Sequence, residues 1–214
     1  MYYLFMHFPD IELEKKLWSK GFKYVVGIDE AGRGPLAGPV SAGAVVIDCE
    51  EMINPRVRDS KEMSEKQRLE AVDDIKQRSL AWGVSLVGSD VIDRIGIQDA
   101  VKLAMYNALK QVEERLASNA DYLIVDGTNV AYINGYKMER IKQGDLLHYS
   151  ISAASVIAKV TRDEFMKEMS VKYPLYGFDR HVGYGTKEHI EAIHKYGPCD
   201  IHMYTFGFLK EFKR

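Results

Sequence analysis

Two hydrophobic periods alternate along this chain. From Tyr24 to Ile47 the sequence reads Y-V-V-G-I-D-E-A-G-R-G-P-L-A-G-P-V-S-A-G-A-V-V-I, two apolar runs separated by a glycine- and proline-rich turn. Runs of Val and Ile suit buried strands, and Gly/Pro clusters mark tight connections, so this stretch predicts two strands in a hairpin-like arrangement. Leu80 to Val87 predicts a third strand interrupted by Gly83, and Tyr122-Leu123-Ile124-Val125 a fourth that ends in Asp126-Gly127. Helical spacing takes over elsewhere. Asp10 to Lys20 predicts a short helix stopped by Gly21, and Ser64-Glu65-Lys66-Gln67 is a capping-box pattern that opens a helix running to about Arg78. Ser89-Asp90 caps a short turn that ends near Gly96. From Ile97, the positions Val101, Ala104, Met105, Ala108, Leu109, Val112 and Leu116 mark a long amphipathic helix. Ser150 to Val171 is a second long helix whose first turns are small residues, which let a backbone approach closely, and Thr186 to Tyr196 is a helix stopped by Gly197-Pro198. The segments around Asn54–Lys61, Lys137–Lys142 and Phe178–Thr186 read as basic loops, the middle one loosely structured.

Strands first, then strands alternating with helices, predict a mixed sheet with helices packed on it. In such folds ligands gather at the carboxyl ends of strands, where Asp29 and Asp126 fall. Glu30 adjoins Asp29, and Asp145 follows Gly144 in a loop. Carboxylates held close together repel unless cations neutralise them. Oxygen-only ligands select hard ions such as Mg²⁺ or Mn²⁺, and two such ions ~4 Å apart clamp an in-line phosphoryl displacement. The bland alternative is that these acids are turn residues or helix caps. The turn G-R-G-P-L-A-G lacks the Gly-Lys-Ser/Thr ending of a P-loop and does not match the dinucleotide fingerprint.

Composition narrows the partners. With 214 residues, 46% of them hydrophobic, the chain can bury a sizeable core. Its formal charge of −2 excludes a basic field over the whole protein, so any nucleic-acid contact comes from local groups. Candidates lie in the loops: Arg56, Arg58 and Lys61; Lys137, Arg140 and Lys142; Arg180, His181 and Lys187. Cys49 and Cys199, far apart in sequence, read as reduced thiols of a cytosolic protein, with one disulfide as the alternative. The N-terminal M-Y-Y-L-F-M-H-F is too short and too polar-flanked for a signal or a membrane span, so a cytoplasmic location is expected. The histidines offer no ligand set, and His181 and His202 read as surface loop residues.

Taken in order, G-I-D-E-A-G-R-G-P-L-A-G-P, D-S-K-x-x-S at Asp59–Ser64, V-D-G at Asp126, G-D at Asp145, S-A-A-S-V-I-A-K-V-T-R-D at Ser152–Asp163 and G-Y-x-T-x-x-H at Gly183–His189 resemble bacterial ribonuclease HII, from about Tyr24 to Phe206. The resemblance implies an α/β fold: a ribonuclease H-like mixed five-stranded sheet with flanking helices and a small helical C-terminal part. Residues 1–22 would form a helical extension, 23–172 the catalytic core and 173–214 a substrate-contacting part packed as one unit with it. The implied activity is metal-dependent endonucleolytic cleavage of the RNA strand of RNA–DNA hybrids, and of duplex DNA on the 5′ side of an embedded ribonucleotide, leaving 3′-hydroxyl and 5′-phosphate ends. Asp29, Glu30, Asp126 and Asp145 correspond to the catalytic and metal-binding acids, with Mg²⁺ or Mn²⁺ in a two-ion site. Asp163 competes for the fourth position but lies on a helix face that looks solvated or salt-bridged. Gly32, Arg33 and Gly34 match the turn that touches the 2′-hydroxyl, Tyr184 the tyrosine at that sugar, and Ser60 and Lys61 phosphate-positioning residues.

The expected partners are therefore RNA–DNA hybrid and ribonucleotide-containing duplex DNA, with no membrane, a monomeric chain and an unproven sliding-clamp contact. The pattern departs from the family at Val182 and Met203, each in place of a basic residue, and at Lys142-Gln143-Gly144, one residue longer than usual. Two other classes stay open on the sequence: a non-catalytic hybrid-binding module, and a nucleotide-binding α/β enzyme using the glycine turn.

Overall fold

The computed structural model describes residues 8–212. Most of the apolar N-terminal run and the last two residues of the basic tail therefore lie outside the described residues. Five strands form one sheet in the order β3-β2-β1-β4-β5: β1 (Val25–Ala31), β2 (Val40–Val46), β3 (Ala81–Val87), β4 (Tyr122–Asp126) and β5 (Met138–Ile141). β1–β2 and β2–β3 are antiparallel, and β1–β4 and β4–β5 are parallel. The predicted hairpin and mixed sheet are both present. The helices are α1 (Glu12–Ser19), α2 (Glu65–Arg78), α3 (Ser89–Ile95), α4 (Ile97–Leu116), α5 (Gly144–Leu147), α6 (Tyr149–Lys172), α7 (Phe178–His181) and α8 (Lys187–Tyr196). No described helix is long and apolar enough to cross a membrane.

The long helices sandwich the sheet. α4 packs on β2 and β3, and α6 lies across β1 and β2 on the other face. Every residue of β2 is buried, which is why it reads as a continuous apolar run rather than an alternating one. Ala42, Ala44 and Val46 face the cluster with Ala104, Ala108 and Leu109 of α4, while Val45 joins Ala154 and Ile157 of α6. The predicted capping box of α2 forms, Ser64 and Gln67 bonding reciprocally, and α8 is capped by Thr186, whose Oγ1 accepts from His189 N.

Four expectations need correction. β3 is not interrupted at Gly83; a Cβ there would lie 2.1 Å from the Ala108 carbonyl, so the glycine lets α4 approach an unbroken strand. The loosely structured segment contains β5, an edge strand whose M-E-R-I sequence carries the charges that edges tolerate. Asp145 stands in the one-turn helix α5 rather than in a loop; Gln143, the extra residue of that connection, takes up the turn with φ +57°. His181 and His202 are buried, with His189, around the ring of Phe178 in a third apolar cluster that joins α7 and α8 to the end of α6. The sequence hid this because histidine burial depends on partners far along the chain. Cys199 is a free thiol 3.2 Å from His202 Nδ1, so the Cys49–Cys199 disulfide is excluded.

Burial lowers the pKa of His189 and of His202 from 6.5 to about 4, and each is further depressed by a neighbouring histidine. Between those pH values the unfolded chain binds protons that the folded chain refuses, so stability rises with pH there and is lost as pH falls from 6.5 toward 4. Urea midpoints measured across this interval should fall on acidification. His202→Gln, which removes one titrating ring, should flatten the slope, and an unchanged slope in that variant would contradict the burial account.

Candidate active site

Parallel pairing of β1 with β4 brings their carboxyl ends together. The last pair in register is Ile28 with Val125, which sets Asp29 beside Asp126 one step further on. α5, directly before α6, adds Asp145. Ligand oxygens of Asp29, Asp126 and Asp145 all lie within 4.8 Å of one another. Asp29 and Asp145 are buried, and Asp126 is partly so. Local hydrogen bonds fix them: Gly144 N–H donates to Asp126 Oδ1 at 2.6 Å, and Glu30 N–H to Asp29 Oδ1 at 2.7 Å.

The cluster is electrostatically frustrated. Burial raises the Asp29 carboxyl well above its usual pKa, and Glu30, Asp126 and Asp145 push it further. Asp126 is raised by burial and then by Asp145, against the two backbone N–H groups it accepts from. Lys61 Nζ stands 3.2 Å from Asp145 Oδ2 and 3.9 Å from Asp59 Oδ1. Glu30 is outside this trio: its Oε1 accepts from Arg33 Nη1 at 3.0 Å, and burial raises its pKa against that partner. Its other oxygen, Oε2, is buried with no hydrogen-bond partner. Three converging carboxylates and an orphaned carboxylate oxygen are a donor set that fits a hard divalent cation, which would satisfy what one lysine leaves unsatisfied.

A cleft of about 300 Å³ opens over Asp29, Glu30 and Asp126, lined also by Gly32, Arg33, Gly34, Ser60, Lys61, Ser155, Lys159, Arg162 and Tyr184. All the candidate substrate residues therefore meet in one place. The Tyr184 ring lies over Gly34, close enough that a Cβ there would sit 3.7 Å from its Cε1. Ser60 Oγ is 2.9 Å from Ser155 Oγ, which ties the D-S-K loop to α6. Asp163 is held instead by Lys159 at 2.7 Å and Arg68 at 3.7 Å, away from the trio. Of the nine basic loop residues named above, Lys61 alone lines the cleft. Arg140 donates to the Val130 carbonyl, Lys137 sits over the Phe22 ring, and Arg180 pairs with Glu188.

Sequence reasoning missed three lining residues, Ser155, Lys159 and Arg162. Their spacing of four and then three residues along one helix face was the available signal. Arg162 is fully buried. It donates from Nε to the Pro39 carbonyl at 2.9 Å, from Nη1 to Val182 at 2.9 Å and from Nη2 to Ala37 at 3.1 Å. Gly32, at φ +96°, makes room for it, since a Cβ there would lie 2.3 Å from Arg162 Nε. The two departures from the family pattern find structural uses: Val182 offers its carbonyl to Arg162, and Met203 is buried in the main core.

The family model described as ribonuclease HII matches residues 26–208. The chain belongs to the ribonuclease HII family. Members of that family cleave RNA in RNA–DNA hybrids. Ribonuclease HII of Caldicellulosiruptor bescii is 48% identical over 195 residues, 91% of this chain and 92% of that protein. The crystal structure of ribonuclease H2 from Pyrococcus horikoshii superposes with a TM-score of 0.73 at 26% identity, covering 88% of this chain and 96% of that one. Bst-RNase HIII, solved in complex with Mn²⁺, shares the fold with a TM-score of 0.67 at 18% identity, over 88% of this chain and 68% of that one.

In this ribonuclease HII chain the repulsion among the acids has a measurable consequence. Asp29→Asn removes a buried charge from the trio, so with divalent ions chelated the variant should melt higher than the parent. The rise should be roughly 2–4 °C per kcal/mol of repulsion relieved in a chain of this size. A lower melting temperature in chelator would show that the carboxylates are already compensated.

Proposed function

We propose that this chain is a divalent-metal-dependent endonuclease that cuts the RNA strand of RNA–DNA hybrids and also cuts duplex DNA on the 5′ side of an embedded ribonucleotide. The observation that carries the reading is the convergence of Asp29, Asp126 and Asp145, with Asp29 and Asp126 lining the same cleft as the Gly32-Arg33-Gly34 turn and Tyr184. On this reading Asp29, Asp126 and Asp145 hold Mg²⁺ or Mn²⁺, and Glu30 completes the set with its unpartnered Oε2. Bst-RNase HIII, which shares the fold, was solved in complex with Mn²⁺, in keeping with a hard divalent ion. Bound at a scissile phosphate, two such ions supply Lewis acidity for an attacking water and for the charge on the departing 3′ oxygen.

The remaining work falls to the protein's own groups. Water adds across the P–O3′ bond, so the products carry a 3′-hydroxyl and a 5′-phosphate. Lys61, fixed between Asp145 and Asp59, is a point cation for a backbone phosphate. Ser60, anchored to Ser155, sets the height of that lysine. The Gly32-Arg33-Gly34 turn, two residues beyond Glu30, offers backbone groups to the ribose 2′-hydroxyl, the group that distinguishes RNA from DNA. Tyr184 covers Gly34 and closes the side of the cleft where the sugar would sit. Chemistry and recognition thereby depend on neighbouring residues of one strand and its turn.

A duplex bearing a single ribonucleotide tests the reading. With Mg²⁺ or Mn²⁺ it should be cut once, 5′ to the ribonucleotide, while the all-DNA duplex stays intact. Asp29→Asn and Asp126→Asn should each lower the rate roughly 10³-fold or more, since each removes a group that organises the transition-state charge. An intact ribonucleotide substrate with both metals would overturn the proposal, and nucleotide protection without any duplex would favour a nucleotide-binding enzyme.

A further inference from the structure

We propose that His202 and His189 are positioning residues for Tyr184: a hydrogen-bond chain of fixed direction runs through their two imidazoles and holds the Tyr184 backbone so that its ring lies over Gly34. The consequence for substrate rests on the reading of Tyr184 as the ribose contact; the geometry does not.

One end of the chain has a chemistry that leaves no choice, and it fixes the rest. There His189 Nδ1 stands 2.9 Å from the Tyr184 carbonyl, which only accepts, so Nδ1 of His189 is protonated. At the far end His202 Nδ1 has Cys199 N–H at 2.9 Å and the Cys199 carbonyl and Sγ each at 3.2 Å, so its own partners admit either tautomer and its direction is set through His189. Between them the two Nε2 atoms are 3.0 Å apart. With both rings neutral, His202 Nε2–H must donate to a bare His189 Nε2. Each bond requires the next, and reversing either ring would set two donors or two lone pairs face to face.

The same carbonyl also accepts from Thr186 N–H at 2.8 Å, so the last backbone acceptor of the Gly183–Tyr184 turn is doubly held. His181 secures the other side of this turn. Its Nε2 reaches the Tyr176 carbonyl at 2.8 Å and its Nδ1 accepts from Gly183 N–H at 3.2 Å. The His181 ring stacks on His189 with centroids 4.5 Å apart. His189 and His202 are both fully buried, so neither touches substrate itself. Tyr184, by contrast, is 47% exposed at the cleft, where its ring has little packing of its own to fix it. The imidazole chain supplies the rigidity that the exposed ring lacks.

Nuclear magnetic resonance on the full chain, ¹⁵N-labelled at histidine, tests the direction of the chain. His189 should carry its proton on Nδ1 and His202 on Nε2; a His189 protonated on Nε2 overturns the proposal. His202→Gln keeps a donor near the Nε2 position, whereas His202→Asn is too short to reach His189. A nuclear Overhauser contact between the Tyr184 ring and the Gly34 α-protons should survive in H202Q and vanish in H202N, and its survival in H202N overturns the positioning role. With the single-ribonucleotide duplex, H202N should raise KM about tenfold and leave kcat within about twofold, with H202Q restoring KM. A loss of thermal stability without a change in KM would mark the histidines as structural only. If H202N does not fold, the tautomers of the parent chain decide the matter. If the parent fails to cut the ribonucleotide duplex, the proposed function falls, while the ring protons and the Overhauser contact still decide the positioning claim.

Discussion

The buried guanidinium of Arg162 is the contact on which the geometry of the cleft depends. Removing a charged group from water is costly unless its hydrogen bonds are replaced. Here the replacements are three backbone carbonyls from two segments, Ala37 and Pro39 of the β1–β2 connection and Val182 of the loop before α8. A guanidinium presents its donors in a rigid planar fork. It therefore fixes the two segments relative to each other and to α6, rather than tethering them loosely. The close approach of Gly32 to Arg162 Nε couples the glycine turn into the same arrangement. One side chain thus spaces the turn that follows Glu30 and the loop that carries Tyr184.

The acid cluster works by the opposite principle. Arg162 is satisfied within the protein, whereas Asp29, Asp126 and Asp145 are brought together by topology with one lysine to offset them. Their frustration follows directly from the sheet order. β4 inserts in parallel beside β1, so two strands that end in aspartate end at the same edge, and the short helix before α6 adds the third. Burial and mutual repulsion raise Asp29 and Asp126, and a fold would not retain such an arrangement for stability alone. The cost is local and is offset by an extensive core, in which α4 packs on β2 and β3 and α6 lies across β1 and β2 on the other face.

What the sequence disclosed follows the range of each interaction. Periodicity located β1, β2, β4, α4 and α6, and the capping pattern at Ser64 located the start of α2, because these signals are written in neighbouring residues. β5 escaped because an edge strand of four residues carries charge where a central strand carries valine. The burial of His181, His189 and His202 escaped for a different reason. Phe178 stands one turn from His181, but nothing near His189 or His202 announces that they gather around the same ring. The acids were visible as strand-end residues, but the fourth position had two candidates. Both Asp145 and Asp163 stand in family motifs, and helical periodicity preferred Asp145 by setting Asp163 on a face that looks solvated or salt-bridged. The structure adds the physical reason, since Asp163 is occupied by Lys159 and Arg68 while Asp145 faces Asp29 and Asp126.

Charge and recognition are tied together through backbone rather than through side-chain contacts. The glycine turn, the Val182 carbonyl and the Tyr184 carbonyl are all held by buried donors, Arg162 and His189, that do not themselves reach the exposed part of the cleft. A surface built from backbone groups is indifferent to which side chains decorate it. The valine and the methionine that replace basic residues at 182 and 203 can therefore stand where they do. Val182 contributes through its carbonyl, and Met203 by filling the core under the strands. Arginine at 203 would have to bury its guanidinium or displace that core. Neither departure lines the cleft, and of the cations that do, Lys61, beside the acids, is the most exposed; on the proposed reading it has the most direct claim on a phosphate. Binding would then rest more on shape at the glycine turn and Tyr184, and less on a spread of basic side chains.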